Sequence, residues 1–142
     1  MGYWESFYHL IWTTKNREPF IDDVREELLL KSFRATAQEK NSIVRAIGMV
    51  SEHVHIAISI PPVESVSYVV RDLKTAATHL INHAAPLSDG GIFTWQREFA
   101  MFTFGAKSLD DVVEYVENQK LHHQIGTIRP RFERLDRLER SE

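Results

Sequence analysis

From residue 53 to residue 60 the chain alternates without interruption. His53, His55, Ala57 and Ser59 take one set of positions, and Val54, Ile56, Ile58 and Ile60 the other. Successive side chains of a strand point to opposite faces, so this run makes a strand with one wholly aliphatic face and one face carrying two imidazoles. The aliphatic face has to be buried under another layer. The histidines then project from the far side of the same sheet, and Ala57 and Ser59 are small enough to leave space beside them. Pro61-Pro62 ends the run.

The elements around it follow from local pattern. Trp4 to Thr14 is rich in aromatic and β-branched residues and reads as a strand, interrupted by Lys15-Asn16-Arg17 and Pro19. Asp22 opens a helix that is acidic early (Asp22, Asp23, Glu26, Glu27) and basic later (Lys31, Arg34, Lys40), as the helix dipole favours. Val24, Leu28, Phe33 and Ala37 are its expected buried stripe. Ile43 to Val50 is the strand before His53–Ile60, joined to it through Ser51 and Glu52. A second helix has Val66, Val69, Val70, Leu73, Ala77, Leu80 and Ile81 at helical spacing, with Arg71, Lys74, Thr75, Thr78 and Asn82 on the other side. Phe99 to Phe104 is a short strand. Ser108 with Asp111 resembles a capping box and starts a last helix running to about His123. The order matches the ferredoxin-like α+β pattern βαββαβ, an antiparallel sheet with two helices on one face. The extra C-terminal helix is free to lie on the other face. No repeat or linker divides the chain, so residues 1–126 read as one domain and 127–142 as a charged C-terminal tail.

With 142 residues, 43% of them hydrophobic and 26% charged, the chain has the composition of a globular domain with one core. No stretch suits a membrane span, and Met1-Gly2-Tyr3-Trp4-Glu5 does not begin a signal peptide. There is no cysteine, which excludes disulfides and thiolate metal sites and fits a cytoplasmic protein. The formal charge of −3 weighs against a surface dominated by phosphate contacts, although a local basic groove is compatible with it.

Two histidines at i and i+2 on one strand face are close enough to share a divalent ion, and neutral imidazole is a good ligand without choosing the metal. The alternative is a pair of polar residues on a solvated sheet face. On the last helix, Leu109, Val112, Val113 and Val116 form an apolar stripe. Tyr115 and Gln119 lie one turn apart on one side, and His122 continues the line. A phenol nucleophile beside an amide ligand suits phosphoryl chemistry, provided that a cation or base activates the phenol. Periodicity by itself favours the other reading, a tyrosine at the edge of the apolar stripe with Gln119 in solvent.

In the order His53-Val54-His55, then Trp95-Gln96, then Tyr115-Val116-Glu117-Asn118-Gln119 with His122-His123, the chain resembles the single-tyrosine HUH transposases of bacterial and archaeal insertion sequences, the IS200-like family. The resemblance runs from Tyr8-His9-Leu10-Ile11-Trp12 to about Phe132-Glu133. It implies that His53, His55 and Gln119 bind one divalent ion, magnesium or manganese. It further implies that Tyr115 attacks single-stranded DNA at hairpin-bearing ends, leaving a 5′-phosphotyrosine and a free 3′-hydroxyl that a later attack rejoins. Family members are homodimers in which the tyrosine helix can complete the partner's site. Lys15 and Arg17 in the first loop, and Arg71 and Lys74 on the second helix, are the candidate DNA contacts. Two departures stand out: Ser51-Glu52 replaces the usual Pro-Asp turn before the histidines, and Arg97-Glu98-Phe99 replaces a Gly-Tyr step after Trp-Gln. Two other functions remain open at this point. One is a catalytically silent or host-adopted nucleic-acid-binding protein of the same fold, and the other a phosphoesterase that uses water directly.

Overall fold

The computed structural model describes residues 2–133. Strands β1 (Tyr8–Thr13), β2 (Ile43–Val50), β3 (His53–Ser59) and β4 (Ala100–Thr103) form one antiparallel sheet in the order β2-β3-β1-β4. Helices α1 (Asp23–Glu39) and α2 (Val66–Ala84) cover one face. Helices α3 (Leu109–Glu117) and α4 (Gln119–Ile125) pack on the other, against β2 and β3. This is the expected split βαββαβ arrangement, with the additional helical segment on the second face.

The main core lies between the sheet and the first two helices. Leu10 and Trp12 of β1 and Val54, Ile56 and Ile58 of β3 meet Leu29 and Phe33 of α1 and Val69, Leu73, Ala77 and Ile81 of α2. Trp95 joins them: it bridges to Thr14 beyond the end of β1, and its ring packs edge-on to Trp12. Among the described residues no helix is long and apolar enough to cross a membrane.

Several local expectations need correction. The first strand begins at Tyr8, not Trp4, and β4 spans only Ala100–Thr103. The buried stripe of α1 runs through Leu29, Phe33 and Ala37, whereas Val24 is exposed. Asp22 caps that helix, accepting a hydrogen bond from the Arg25 amide. Ser108 makes no side-chain cap, because a 3-10 turn at Ala106–Ser108 already supplies helical backbone at the start of α3.

The last helix is not continuous. It breaks at Asn118 (φ −106°, ψ 33°), whose amide still reaches the Glu114 carbonyl. Two residues before the break the helix presses against the sheet. A Cβ built on Gly48 of β2 would lie 1.7 Å from the Val116 carbonyl oxygen, so only glycine admits the helix at this depth.

Candidate metal–tyrosine centre

The alternation along β3 places His53 and His55 on the face away from α1 and α2, as the sequence predicts. That face is not open. Helix α3, helix α4 and the segment after it close over the two imidazoles, which are fully buried. Their rings stand 5.1 Å apart between centroids. Helix α3 lies on the sheet of its own chain and brings the Tyr115 ring to 5.9 Å from that of His55. Tyr115 is itself fully buried, and the His122 ring lies against it at 4.9 Å.

Gln119, the first residue of α4, is buried beside them. Its Nε2 donates to the Tyr115 carbonyl at 2.9 Å, satisfying a helix-end acceptor. Its Cγ would stand 3.4 Å from a Cβ on Gly48, the residue paired with His55 across β2 and β3. The residues expected to form one centre thus converge from β3, α3 and α4.

The structure adds groups that the sequence does not single out. After α4 the chain turns back at Gly126, whose positive φ of 76° suits glycine. It then lays Arg129, Phe132 and Glu133 over the centre. Arg129 pairs with Asp111 through both guanidinium NH groups, and its own amide donates to the Tyr115 hydroxyl. That hydroxyl donates to Glu133 Oε2 at 2.9 Å. The Glu133 carboxylate also lies 3.3 Å from His53 Nε2, 3.2 Å from His55 Nε2 and 2.9 Å from His123 Nε2. Among the described residues, His53, His55 and Glu133 form a cluster able to hold a metal ion. Nothing in the local sequence marks Glu133, which lies in a run of mixed charge with no period. His9 does carry a signal: Leu10 and Trp12 on the core face of β1 leave His9 with Ile11 on the histidine face.

The electrostatics favour positive charge at this point. Burial opposes a charged His53, but the carboxylates of Glu133 and Glu52 outweigh it and raise its pKa. Burial likewise opposes an ionised Glu133, and the neighbouring His53 and His55 overcome it and hold the carboxyl well below its usual range. Glu52 is held at about 2, chiefly by its bond to His53 and then by Arg17. Burial takes His55 down to about 4 and His9 to about 3, so both stay neutral at physiological pH. Burial pushes the Tyr115 phenol up to about 12, and Glu133 adds to the rise, so unaided it is a weak nucleophile.

The donor set fits a divalent cation. Gln119 Oε1 is buried with no hydrogen-bond partner among the described residues, and the buried His53 Nε2 and His55 Nε2 both face the Glu133 carboxylate, at 3.3 and 3.2 Å. Buried lone pairs of this kind are costly unless something satisfies them. Two imidazole nitrogens with amide and carboxylate oxygens suit a metal of intermediate hardness.

The expected DNA contacts do not join this centre. Lys15 is exposed, and Arg17 pairs with Glu52 next to His53. Arg71 lies on α2, across the sheet, against Asp72 and the Tyr68 ring. Lys74 donates to the carbonyls of Gln96, Arg97 and Glu98, and so clamps the segment leading to β4.

The fold and the centre together define a class: an α+β sheet protein with a His-x-His strand covered by a tyrosine helix. The chain belongs to the IS200-like transposases, whose family model, described as "Transposase IS200 like", matches residues 3–119. It is therefore a transposase. It is 25% identical over 117 residues to the ISDra2 transposase TnpA of Deinococcus radiodurans, covering 79% of this chain and 82% of that one. Among solved structures, a crystallised candidate transposase from Deinococcus radiodurans R1 superposes with a TM-score of 0.67 at 25% identity, over 84% of this chain and 95% of the other. A REP-associated tyrosine transposase bound to a REP hairpin shares the fold, with a TM-score of 0.64 at 17% identity over 87% and 74% of the two chains.

Proposed function

We propose that this transposase nicks and rejoins single-stranded DNA at hairpin-bearing ends by transesterification on Tyr115. The observation that carries the reading is the convergence of the Tyr115 phenol with two buried imidazoles, the Glu133 carboxylate and an unpartnered amide oxygen. His53, His55 and Gln119 are the proposed ligands of one magnesium or manganese ion, with Glu133 able to add an oxygen. When bound, the ion would supply positive charge where negative charge develops on the scissile phosphate.

The remaining work belongs to the chain. The Tyr115 oxygen gives up its proton and attacks phosphorus, the bond from phosphorus to the 3′-oxygen breaks, and the leaving oxygen takes up a proton as the free 3′-hydroxyl, so no net proton is gained or lost. The 5′-phosphate stays on Tyr115 until another 3′-hydroxyl displaces the phenol and restores it. Bond energy is conserved through both steps, so no nucleotide hydrolysis is needed. His53 and Gln119 are pre-oriented for their part, the first by Glu52 and the second by the Tyr115 carbonyl. Lys15 and Arg17, beside the turn that leads into His53, are the proposed phosphate contacts nearest the centre, with Arg71 and Lys74 on a separate surface. The hairpin substrate is supported by the relative of the same fold bound to a REP hairpin. A cytoplasmic homodimer is part of the same reading.

The test is an SDS-stable protein–oligonucleotide adduct on hairpin-bearing single-stranded DNA with magnesium or manganese. The adduct is expected to form with either ion and to vanish on chelation. Salt-dependent hairpin binding with no adduct under any metal would replace this reading with a binding-only protein, the alternative that the net charge of −3 favours.

Glu133→Ala is expected to weaken manganese binding by the DNA-free protein about tenfold, in the range found when a carboxylate supporting a metal site is removed. Calorimetric titration measures it, and an unchanged affinity would show that Glu133 contributes nothing to the ion's hold.

A further inference from the structure

His9 has no part in the chemistry described so far, yet it is wholly buried against the centre. In the pairing of β1 with β3, Ile11 stands opposite His55 and His9 opposite Ala57, which sets His9 diagonal to His55 on the same face. Its Nε2 lies 2.8 Å from His55 Nδ1. Phe132 packs edge-on to its ring at 4.6 Å, and the rings of Phe102 and Tyr115 lie at 6.2 and 6.4 Å. This ring is fixed on several sides and directed at a single atom of a proposed metal ligand.

A hydrogen bond between two imidazole nitrogens holds one proton, and its place sets the tautomer of both rings. With the proton on His55 Nδ1, the Nε2 of a neutral His55 is a bare lone pair. With the proton on His9, a neutral His55 must carry its own on Nε2 and cannot ligate through that atom. We propose that His9 is a positioning residue of the metal centre, accepting the Nδ1 proton of His55 so that His55 Nε2 stays free to ligate a divalent cation. His9 then carries its own proton on Nδ1.

The neighbouring histidine supports this by parallel. The Nδ1 of His53 meets Glu52 Oε1 at 3.2 Å, an acceptor that holds a proton on that nitrogen. His9 thus does for His55 what Glu52 does for His53. The two positions differ in their surroundings. Glu52 is partly exposed and pairs with Arg17, whereas the place beside His55 is closed by Phe102 and Phe132. A carboxylate there would be a charge buried among aromatic rings, and a neutral acceptor avoids that cost.

The proposal rests on the metal-centre reading above, and the experiment separates the two. In metal-free Glu133→Ala, where no Glu133 carboxylate faces His55 Nε2, long-range proton–nitrogen correlation spectra are expected to show His55 as the Nδ1–H tautomer. His9→Phe keeps an aromatic ring in place and removes the acceptor. It is expected to shift His55 toward the Nε2–H tautomer and to weaken manganese binding about 10- to 100-fold. Adduct formation by His9→Phe should return at saturating manganese, which a merely distorted site would not allow. His9→Gln, whose side-chain oxygen reaches the place of Nε2, should recover most of the lost affinity. Wild-type manganese affinity in His9→Phe, or no recovery in His9→Gln, would overturn the role of His9 while leaving the metal centre intact. If His9→Phe does not fold, an Nε2–H tautomer of His55 in metal-free Glu133→Ala overturns it equally. A wild-type protein that binds no manganese and forms no adduct would sink the functional reading, and this proposal with it.

Discussion

Tyr115→Phe is expected to bind hairpin DNA as the wild-type protein does and to form no covalent adduct with it. The substitution removes one oxygen from a ring that is fully buried and packed against His55, His122 and Phe132, so the packing of α3 is retained. The lost hydroxyl joins the Arg129 amide to Glu133. Leaving that amide without its partner costs on the order of 1–3 kcal/mol at most, which a folded domain of this size tolerates. Chemistry is affected differently, because no other phenol stands among the histidines: the remaining tyrosines, Tyr3, Tyr8 and Tyr68, are at the N-terminus, on β1 and on α2. Gel separation of labelled oligonucleotide after denaturation, together with a binding measurement on the same preparation, reads both effects. An adduct that persists in Tyr115→Phe would reject Tyr115 as the nucleophile.

Gly48→Ala is the second large effect, and it acts from the opposite side of the helix. The added methyl would stand 1.7 Å from the Val116 carbonyl oxygen and 2.8 Å from its carbon. Both are backbone atoms, so no side-chain rotation relieves the clash and α3 must move off the sheet. Overpacking of this kind costs about 1–3 kcal/mol, occasionally more. The displaced helix carries both Tyr115 and the carbonyl that orients Gln119. Since a shift of about 1 Å at a reacting centre can cost ~10²-fold in rate, adduct formation is expected to fall by at least that factor. Thermal melting followed by circular dichroism separates loss of fold from loss of alignment. Gly105→Ala is the control, because a methyl there meets nothing within 4 Å. Wild-type adduct yield in Gly48→Ala would mean that contact with Val116 does not seat the helix.

The sheet and its first layer were legible because burial writes itself into periodicity. The aliphatic positions of β3 and the apolar stripe of α2 needed no further information, and the histidine face followed by parity. The centre was legible only in part. Spacing placed Tyr115 and Gln119 on one side of a helix, but could not show that this side faces the histidines, nor that the helix breaks at Asn118. The seating of the helix on the sheet answers to Gly48, about seventy positions earlier, and local pattern cannot see it. Val24 was misplaced because at the start of α1 it is Arg25, bonded to the carbonyls of Phe20, Ala85 and Pro86, that faces the protein, so the apolar stripe begins a turn later, at Leu29. Glu133 was illegible for a different reason. A single carboxylate among alternating charges has no period and no neighbour in sequence to mark it, and only the turn at Gly126 returns it to the histidines.

The bond between Gln119 and the Tyr115 carbonyl bears on the strength of the proposed ion as an electrophile. Because the amide nitrogen is committed to that carbonyl, the oxygen is the end left over, and the residue enters the centre with no formal charge. A dication among two neutral imidazoles, one amide and one carboxylate keeps a net positive charge. A second carboxylate at position 119 would cancel it, and would also leave the Tyr115 carbonyl without its donor. The amide therefore preserves the Lewis acidity that a phosphodiester, itself an anion, must encounter.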